Sequence, residues 1–367
     1  KRQISQDYPK KKFYKREKDA AKIMGRDDRK YGDHSGNRVL CRFYNHGSIG
    51  DQSSSFSGVY PIGSGHSYIW EFSPVVAASV VDTNGFRRHI VSDGISGLVD
   101  ASPEGTPWSF EPLSGYANPN QENLAMSDNE NSWPNSWPNR TEDWNGEWNG
   151  QYGKYVRADQ ESYFVVDDRY NSEFEFWPDQ NDIPEDPTVS PDEHRRGLGI
   201  EMEARGYQWN HPAAEDIIIV TYWITNVGSS VLDSVVFGMY GDADIGGASS
   251  FSDDDAWFDT ENDMVYQWDH DNWSSSYGGF RPAYFGWSFL ESPGNPHDGI
   301  DNDGDGMIDE SQFDGIDNDG DWDPERDDIG ADGLADFHIN YTGPCLLYTS
   351  DAADEGLGVD LGGRRII

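Results

Sequence analysis

Short apolar stretches separated by turn residues dominate this chain, and apolar positions at helical spacing are scarce. Short apolar or alternating stretches bounded by Gly, Asn and Asp are typical of strands, whose successive side chains point to opposite faces. One apolar stretch, residues 75–81, is followed by turn residues 82–85 and a second stretch at 86–91. The Asn84-Gly85 pair tolerates the positive φ angles of a tight turn. The pattern therefore predicts a hairpin over residues 74–92.

Further strands are predicted at residues 160–166 and 199–208. The clearest pattern is a run of apolar residues at 216–225, a polar turn at 226–230, and a second run at 231–240. This pattern resembles paired strands of an immunoglobulin-like sandwich, in which a polar turn joins two half-buried strands. We therefore expect an all-β protein, with an immunoglobulin-like β-sandwich over residues 195–292, long irregular loops, and additional strands within 36–100.

Composition narrows the class of protein. Hydrophobic residues make up 35% of the chain, but aromatic residues reach 14%, with 14 Trp and 19 Tyr. Disordered chains are poor in aromatic residues, so we expect a core built from large rings.

The net charge of −40 argues against binding to nucleic acid or to anionic membranes. No apolar run reaches the length of a membrane span. Without Cys345, discussed below, Cys41 has no partner for an intrachain disulfide, which favours stabilisation by calcium rather than cystine.

The strongest indication of a binding site is an acidic segment over residues 298–336, called the aspartate ladder below. The text D-G-I-D-N-D-G-D occurs at residues 298–305 and again at 314–321, and residues 298–336 hold sixteen acidic residues against one basic residue, Arg326. Carboxylates at alternate positions, with glycines between them, let a short loop wrap its oxygens around one hard cation. Calcium takes six to eight such ligands. A solvated acidic linker is the alternative interpretation, but the repetition favours bound Ca²⁺.

Neither copy is a complete EF-hand loop. With Asp301 at position 1, Gln312 stands where the bidentate carboxylate belongs, and in the second copy Trp322 replaces the glycine at position 6. The ladder resembles the aspartate repeats of thrombospondin type 3 and of many bacterial surface proteins. That resemblance implies ligand sharing between neighbouring loops. The predicted metal ligands are Asp301, Asp303, Asp305, the Met307 carbonyl and Asp309 for one ion, and Asp317, Asp319, Asp321, Asp323 and Asp328 for a second, with Glu310 and Asp314 also available to complete a site.

A second acidic segment spans residues 242–263. Asp242 and Asp244 follow a predicted strand end directly, so they are its best candidate ligands for another calcium loop. The same residues could equally form a solvated rim.

Residues 101–195 are irregular and rich in Trp, Pro and Asn. Ser-Trp-Pro-Asn occurs twice at 132–139, and Trp-Asn-Gly occurs at 144–146 and 148–150. Exposed tryptophans can stack on sugar rings while neighbouring polar groups bind hydroxyls. Candidate glycan contacts are Trp133, Trp137, Trp144 and Trp148. The preferred alternative is that these rings pack across the β-sheets and cover them, since Trp-Pro steps suit a packed loop.

No catalytic motif is present. The chain lacks H-E-x-x-H, G-x-S-x-G, a P-loop and a dinucleotide fingerprint. A glycosidase would need two carboxylates across a cleft, and Glu161, Glu201 and Glu203, which lie in predicted apolar strands, are the first candidates. The sequence therefore favours a protein that is not an enzyme.

Residues 345–367 resemble the translation of a transposon-end sequencing adapter, so we expect them not to be native. Residues 1–35, with twelve Lys/Arg and six Asp/Glu, are expected to be a basic disordered segment. Segments 158–200 and 285–294, together with the ladder, resemble uncharacterised secreted proteins of Bacteroidota-like bacteria. That resemblance implies an extracellular or outer-surface location, with a signal peptide and a C-terminal sorting region lost. The predicted organisation is 1–35 basic segment, 36–194 β-rich region with Trp/Pro/Asn-rich loops, 195–292 sandwich, 293–344 calcium repeats, and 345–367 adapter.

The function expected from the sequence is that of a secreted or cell-surface calcium-binding structural or adhesion protein. Ca²⁺ would rigidify the aspartate repeats beside a β-sandwich, and the partner would be a cell-surface protein or polysaccharide. The alternative is a carbohydrate-binding module, or an accessory domain of a secreted hydrolase, that uses the Trp-rich loop.

Overall fold

The computed structural model describes residues 28–50, 56–95, 108–181, 183–184, 194–247, 250–259 and 264–290. The strands are β1 (Tyr31–His34), β2 (Cys41–Tyr44), β3 (Ile69–Val81), β4 (Arg87–Asp93), β5 (Glu111–Pro112), β6 (Ala125–Met126), β7 (Gln160–Asp167), β8 (Ile200–Gln208), β9 (Ile219–Asn226), β10 (Asp233–Ala243), β11 (Asp254–Asp259), β12 (Met264–Asp269) and β13 (Phe285–Ser288). Short 3-10 turns lie at Glu130–Ser132, Glu142–Trp144, Phe251–Asp253 and Ser276–Gly278.

Every pairing between named strands is antiparallel. The described residues contain no α-helix, so the predicted all-β class is confirmed. Over those ranges no helix is long and apolar enough to cross a membrane.

The chain divides into two compact units. The N-terminal unit comprises residues 1–210 and 215–248, and the C-terminal unit comprises 211–214 and 249–367. Strands β1 to β10 belong to the first, and β11 to β13 form an antiparallel meander in the second.

The predicted hairpin over residues 74–92 is confirmed as β3 and β4, which pair from Val75 opposite Asp93 to Val81 opposite Arg87. Asp82 fixes its turn, because its Oδ1 accepts hydrogen bonds from the backbone N–H groups of Asn84 at 2.9 Å and Phe86 at 2.8 Å. β3 begins earlier than predicted and is 13 residues long. Its other edge pairs with β10, so β3 is the central strand of the order β10–β3–β4.

The second sheet of the N-terminal unit is built around β7, all eight residues of which are buried. The predicted strands at 160–166 and 199–208 are confirmed as β7 and β8, paired from Gln160 opposite Gln208 to Asp167 opposite Glu201. The short strands β5 and β6 pair with the other edge of β7, and β9 pairs with β8. The β7–β8 pairing therefore crosses the boundary that the sequence suggests between the β-rich region 36–194 and the sandwich 195–292.

Strands β9 and β10 form where the sequence predicts them, but they do not pair with each other. β9 hydrogen-bonds to β8, whereas β10 hydrogen-bonds to β3 in the other sheet. Their connection is anchored by the Gly199 carbonyl, which accepts from the N–H groups of Val227 at 2.8 Å and Gly228 at 3.1 Å. The rings of Tyr222 on β9 and Phe237 on β10 lie 5.2 Å apart, so the two strands meet through side chains.

A buried carboxylate ties the two sheets together beyond the end of β7. Asp168 accepts hydrogen bonds from the N–H groups of Leu198 at 2.6 Å, Gly199 at 3.2 Å and Ile200 at 3.0 Å, and from the Ser92 hydroxyl at 2.9 Å. Burial raises the pKa of Asp168 to about 6, although these donors favour the charged form and pull the pKa the other way.

Two histidines of the N-terminal unit are buried. His34 on β1 lies with its Nε2 2.8 Å from the Ser162 hydroxyl on β7, and burial lowers the pKa of His34 to about 3. Burial, with the nearby Arg29 charge, holds the pKa of His46 well below its usual value. Both ring nitrogens of His46 are enclosed without a hydrogen-bond partner among the described residues. Both imidazoles are therefore neutral at pH 7.

Candidate metal centre

Three aspartates of the C-terminal unit form a candidate metal centre. One carboxylate oxygen from each of Asp253, Asp269 and Asp271 lies within 4.8 Å of the other two. The β11–β12 pairing places Asp254 opposite Asp269, which brings the residue before β11 next to the turn that follows β12. The His270 N–H donates to the Asp253 carbonyl at 3.2 Å and holds this turn against the start of β11.

Asp269 is the fixed member of the three. It is 3% exposed, its Oδ2 accepts from the Ser250 hydroxyl at 2.8 Å, and its Oδ1 accepts from the Trp273 N–H at 2.8 Å. Asp253 and Asp271 are exposed. The site thus has one oriented carboxylate at its base and two carboxylates at its rim. An all-oxygen donor set suits hard cations such as Ca²⁺ or Mg²⁺ rather than zinc or copper.

An exposed histidine, His270, lies beside these carboxylates. Its Nδ1 is 2.6 Å from Asp255 Oδ2. This hydrogen bond raises the pKa of His270, and the charges of Asp255, Asp253 and Asp271 act in the same direction. The neighbouring aspartates therefore favour the protonated, positively charged form of this imidazole.

Sequence reasoning found only part of this cluster. Asp253 lies within the acidic segment 242–263 that the sequence indicates, but no motif in the sequence distinguishes Asp269 and Asp271. The available signal was the text Asp-His-Asp-Asn at 269–272, directly after an apolar strand.

The predicted ligands in the aspartate ladder, Asp301 through Asp328, lie outside the described residues.

No protein-family model, curated protein or solved structure matches this chain.

The sequence predicts Asp242 and Asp244 as ligands at a strand end; Asp242 lies near the end of β10 in the N-terminal unit, and Asp244 directly follows that strand. Asp242 is opposite Glu71 of β3, and the N–H of Asp244 donates to the Tyr68 carbonyl at 3.1 Å. They belong to a different unit from the three-aspartate cluster.

The predicted glycan-contact residues are divided between core and surface. Trp137 and Trp148 are 3% and 2% exposed and belong to a hydrophobic cluster with Tyr163 and Val165 of β7. Buried rings offer no face to a sugar, and their packing over the sheet follows the preferred interpretation of the sequence. Trp133 and Trp144 are partly buried against the same cluster.

The indole N–H groups of the loop bind within the fold. Those of Trp133 and Trp137 donate to the Met126 and Glu147 carbonyls at 2.7 and 2.9 Å. The Trp148 N–H donates to Glu161 Oε2 at 2.7 Å. These bonds fix the rings as a cover over β6 and β7.

The carboxylates that the sequence suggests for a hydrolase lie in β7 and β8. Glu161 is 2% exposed; besides the Trp148 indole, the N–H groups of Arg157 and Ala158 donate to it. The Tyr163 hydroxyl donates to Glu203 at 3.0 Å. Glu201 lies opposite Asp167 across the β7–β8 pair. Glu161 therefore acts as a structural acceptor rather than as a carboxylate facing a cleft.

Proposed function

We propose that this chain is a calcium-binding structural protein of the cell exterior, in which Ca²⁺ stiffens aspartate-rich repeats attached to a β-sheet framework. The observation that carries the proposal is the aspartate ladder, written twice with identical text over residues 298–321. An acidic run of this density repels itself unless counter-ions neutralise it. Bound divalent ions would convert that run from an extended segment into a fixed spacer.

Support also comes from the three-aspartate cluster, because a buried, oriented carboxylate with two exposed neighbours can accept a hard cation. The net charge of −40 favours a calcium-rich setting over contact with nucleic acid. A cell-surface protein or polysaccharide is the partner that we propose for such a spacer.

We further propose that the sheet β10–β3–β4 and the five-stranded sheet around β7 stack as an immunoglobulin-like sandwich. Side-chain contacts between these two sheets support the arrangement: Ser92 with Asp168, and Tyr222 with Phe237. A rigid sandwich would give the repeats a fixed base.

Calcium should raise the thermal unfolding midpoint of the full chain, and excess chelator should reverse the shift. With a dissociation constant of about 10⁻⁴ M and free calcium about 100-fold above it, one ion stabilises the folded state by about 2.7 kcal/mol. This corresponds to a rise on the order of 5–10 °C for a domain of this size. The measurement is differential scanning calorimetry in calcium, in magnesium and in chelator.

Two variants identify the responsible carboxylates. Asp301, Asp303, Asp317 and Asp319 changed together to Asn should abolish most of the shift if the ladder binds the ions. The double variant Asp253→Asn with Asp271→Asn tests instead whether the three-aspartate cluster binds calcium. The paired exposed changes Glu130→Gln and Glu142→Gln serve as the charge control. An identical midpoint in calcium and in chelator would reject structural calcium binding.

The second candidate function is carbohydrate binding, and an exposed aromatic face of the C-terminal unit favours it. Trp257 lies directly opposite Tyr266, and Trp268 is two residues further along the same face of β12. The ring of Tyr284 is 5.9 Å from that of Trp268 and nearly parallel to it. Trp257 and Tyr284 are 62% and 68% exposed, and Gly286 opposite Tyr266 adds no side chain. We therefore propose this row of rings in the β11–β13 meander, rather than the Trp-rich loop, as the glycan-contact surface.

Affinity electrophoresis on a panel of polysaccharides tests this candidate. We expect Trp257→Ala to weaken any retardation about tenfold, the change produced by losing about 1.4 kcal/mol of stacking energy. Trp223→Ala, which removes an exposed tryptophan of β9, is the matched control. Retardation that instead depends on Trp133 or Trp144 would return the site to the loop, and no retardation on any polysaccharide would reject the candidate.

A further inference from the structure

One buried asparagine holds two arginines of the N-terminal unit. Asn149 is 0% exposed, its Oδ1 accepts from Arg140 Nε at 2.7 Å, and its carbonyl accepts from Arg205 Nη1 at 2.5 Å. Arg140 comes from the Trp-rich loop, whereas Arg205 is on β8. Two guanidinium groups bound to the same residue bring two positive charges together where the loop meets the sheet.

Aromatic rings orient both guanidinium groups. Arg205 is directly opposite Tyr163 of β7, and its Cζ lies 3.9 Å from the centre of that ring. The Cζ of Arg140 lies 4.3 Å from the Trp144 ring centre, and its Nη2 donates to the Gly150 carbonyl at 3.3 Å. Arg205 is 6% exposed and Arg140 is half-buried, so the pair is fixed in place and open to solvent on the side of Arg140.

These two positive charges are not matched by carboxylates. Neither arginine forms an ion pair with a described residue, whereas Arg29 of the same unit does. The carboxylate of Glu203 accepts instead from the Tyr163 hydroxyl at 3.0 Å. Burial lowers the pKa of Arg140, the charge of Arg205 acts in the same direction, and that of Glu203 opposes it. The cluster therefore has an excess of positive charge within a chain whose net charge is −40.

Several guanidinium nitrogens are left for a ligand. Nη1 of Arg140, and Nε and Nη2 of Arg205, have no acceptor among the described residues. They do not belong to the enclosed polar atoms that lack a partner, so solvent reaches them. The amide of Asn139 lies beside them, since its Oδ1 accepts from Asn149 Nδ2 at 3.1 Å. The site thus presents charged N–H donors next to a polar amide.

We propose that Arg140 and Arg205 bind an oxyanion, the carboxylate or sulfate group of an acidic ligand. A guanidinium group presents its N–H donors as a planar fork that matches the oxygens of such groups, and these charged hydrogen bonds are stronger than neutral ones. The bound anion would neutralise the positive excess around Asn149. Because the chain as a whole repels anions, these short-range bonds must supply the affinity, and we expect a dissociation constant in the millimolar range.

This site is independent of the proposed function. It uses neither the aspartate ladder nor the aromatic row of the meander, and it would remain if both of them bound nothing.

Isothermal titration calorimetry of the full chain at constant ionic strength tests the site with sodium galacturonate, sodium sulfate and neutral galactose. We expect binding of galacturonate, of sulfate or of both, and no binding of galactose. Tighter binding of galacturonate assigns the site to carboxylates, and tighter binding of sulfate assigns it to sulfate groups. Binding of neither anion, or equal binding of galactose and galacturonate, would overturn the proposal.

Three variants identify the groups that hold the anion. Arg140→Gln should weaken anion binding about tenfold or more, the effect of losing a hydrogen bond to a charged group. Arg140→Lys keeps the charge but loses the planar fork, so it should also bind more weakly than the parent chain. Arg87→Gln removes the same charge from an exposed position of β4 and should leave the dissociation constant unchanged. Equal weakening by Arg87→Gln and Arg140→Gln would reduce the effect to net charge and refute the site.

Thermal unfolding separates loss of binding from loss of folding. The anion that binds more tightly should raise the unfolding midpoint of the parent chain and of Arg87→Gln by the same amount. It should raise the midpoint of Arg140→Gln clearly less. An equal rise in the parent chain and in Arg140→Gln would show that the anion binds elsewhere.

Discussion

Replacing Trp148 with alanine is expected to lower the free energy of unfolding by about 3–5 kcal/mol, the cost of removing a large buried ring. Trp148 is 2% exposed, and its ring centre lies 5.4 Å from that of Trp133 and 6.0 Å from that of Trp137. The three rings cover β7, so the cavity would open directly over the most buried strand of the N-terminal unit. Urea unfolding followed by tryptophan fluorescence and circular dichroism measures the change.

Part of that loss comes from a hydrogen bond rather than from packing. The Trp148 indole donates to Glu161, a buried carboxylate whose other donors are two backbone N–H groups. Trp148→Phe keeps most of the ring but removes this donor, and should cost about 1–3 kcal/mol. Trp144→Ala is the matched control, since Trp144 is only partly buried and should cost clearly less. Equal losses for Trp144 and Trp148 would contradict the assignment of Trp148 to the core.

Acidification from pH 6.5 to pH 4 is expected to destabilise the N-terminal unit by about 3 kcal/mol through His34 alone, at 1.36 kcal/mol per pH unit. The unfolded chain protonates His34 near pH 6.5, whereas burial lowers the pKa of His34 in the folded chain to about 3. Between these values the unfolded state binds more protons. The stabilising contribution is therefore complete above pH 6.5 and is lost as the pH falls towards 3.

Asp168 acts with the opposite sign. Its folded pKa of about 6 lies above the ordinary value of 3.8, so its contribution is complete below 3.8 and is lost as the pH rises through 6. Comparison of the parent chain with His34→Gln isolates the histidine, because both chains retain Asp168. We expect the free energy of unfolding of the variant to fall less steeply between pH 6.5 and 4. His89→Gln, at an exposed position of β4, should leave the slope unchanged. A parent slope identical to that of His34→Gln would refute the prediction.

Local signals explain which strands the sequence predicts correctly. The β3–β4 hairpin has its turn chemistry and both apolar runs within twenty residues, and β7 and β8 are apolar enough to stand out alone. The separation of β9 from β10 was not predictable in this way. An apolar run shows that a face is buried, but not which distant strand covers it. The partner of β10 is β3, more than 150 residues earlier in the chain.

The same limit applies to the acidic sites. The ladder is visible because its carboxylates alternate along one segment, whereas the Asp253 cluster depends on the register that sets Asp254 opposite Asp269. Asp242 and Asp244 stand out from their place after a predicted strand, whereas only the β3–β10 pairing shows that Asp242 lies opposite Glu71. The tryptophans show the opposite problem. Their repeated sequence is conspicuous and suggests a binding surface, yet Trp137 and Trp148 are core residues.

The strand order β10–β3–β4 has a consequence for synthesis of the chain. The hairpin of β3 and β4 can form as soon as residue 93 leaves the ribosome, but the other edge of β3 stays unpaired until β10 emerges at residues 233–243. An exposed edge strand readily pairs with other chains. The nascent protein must therefore keep a 13-residue β-edge from neighbouring polypeptides while about 140 further residues are made. The sheet β10–β3–β4 is complete only after the segment that contains Asp242 and Asp244 has been synthesised.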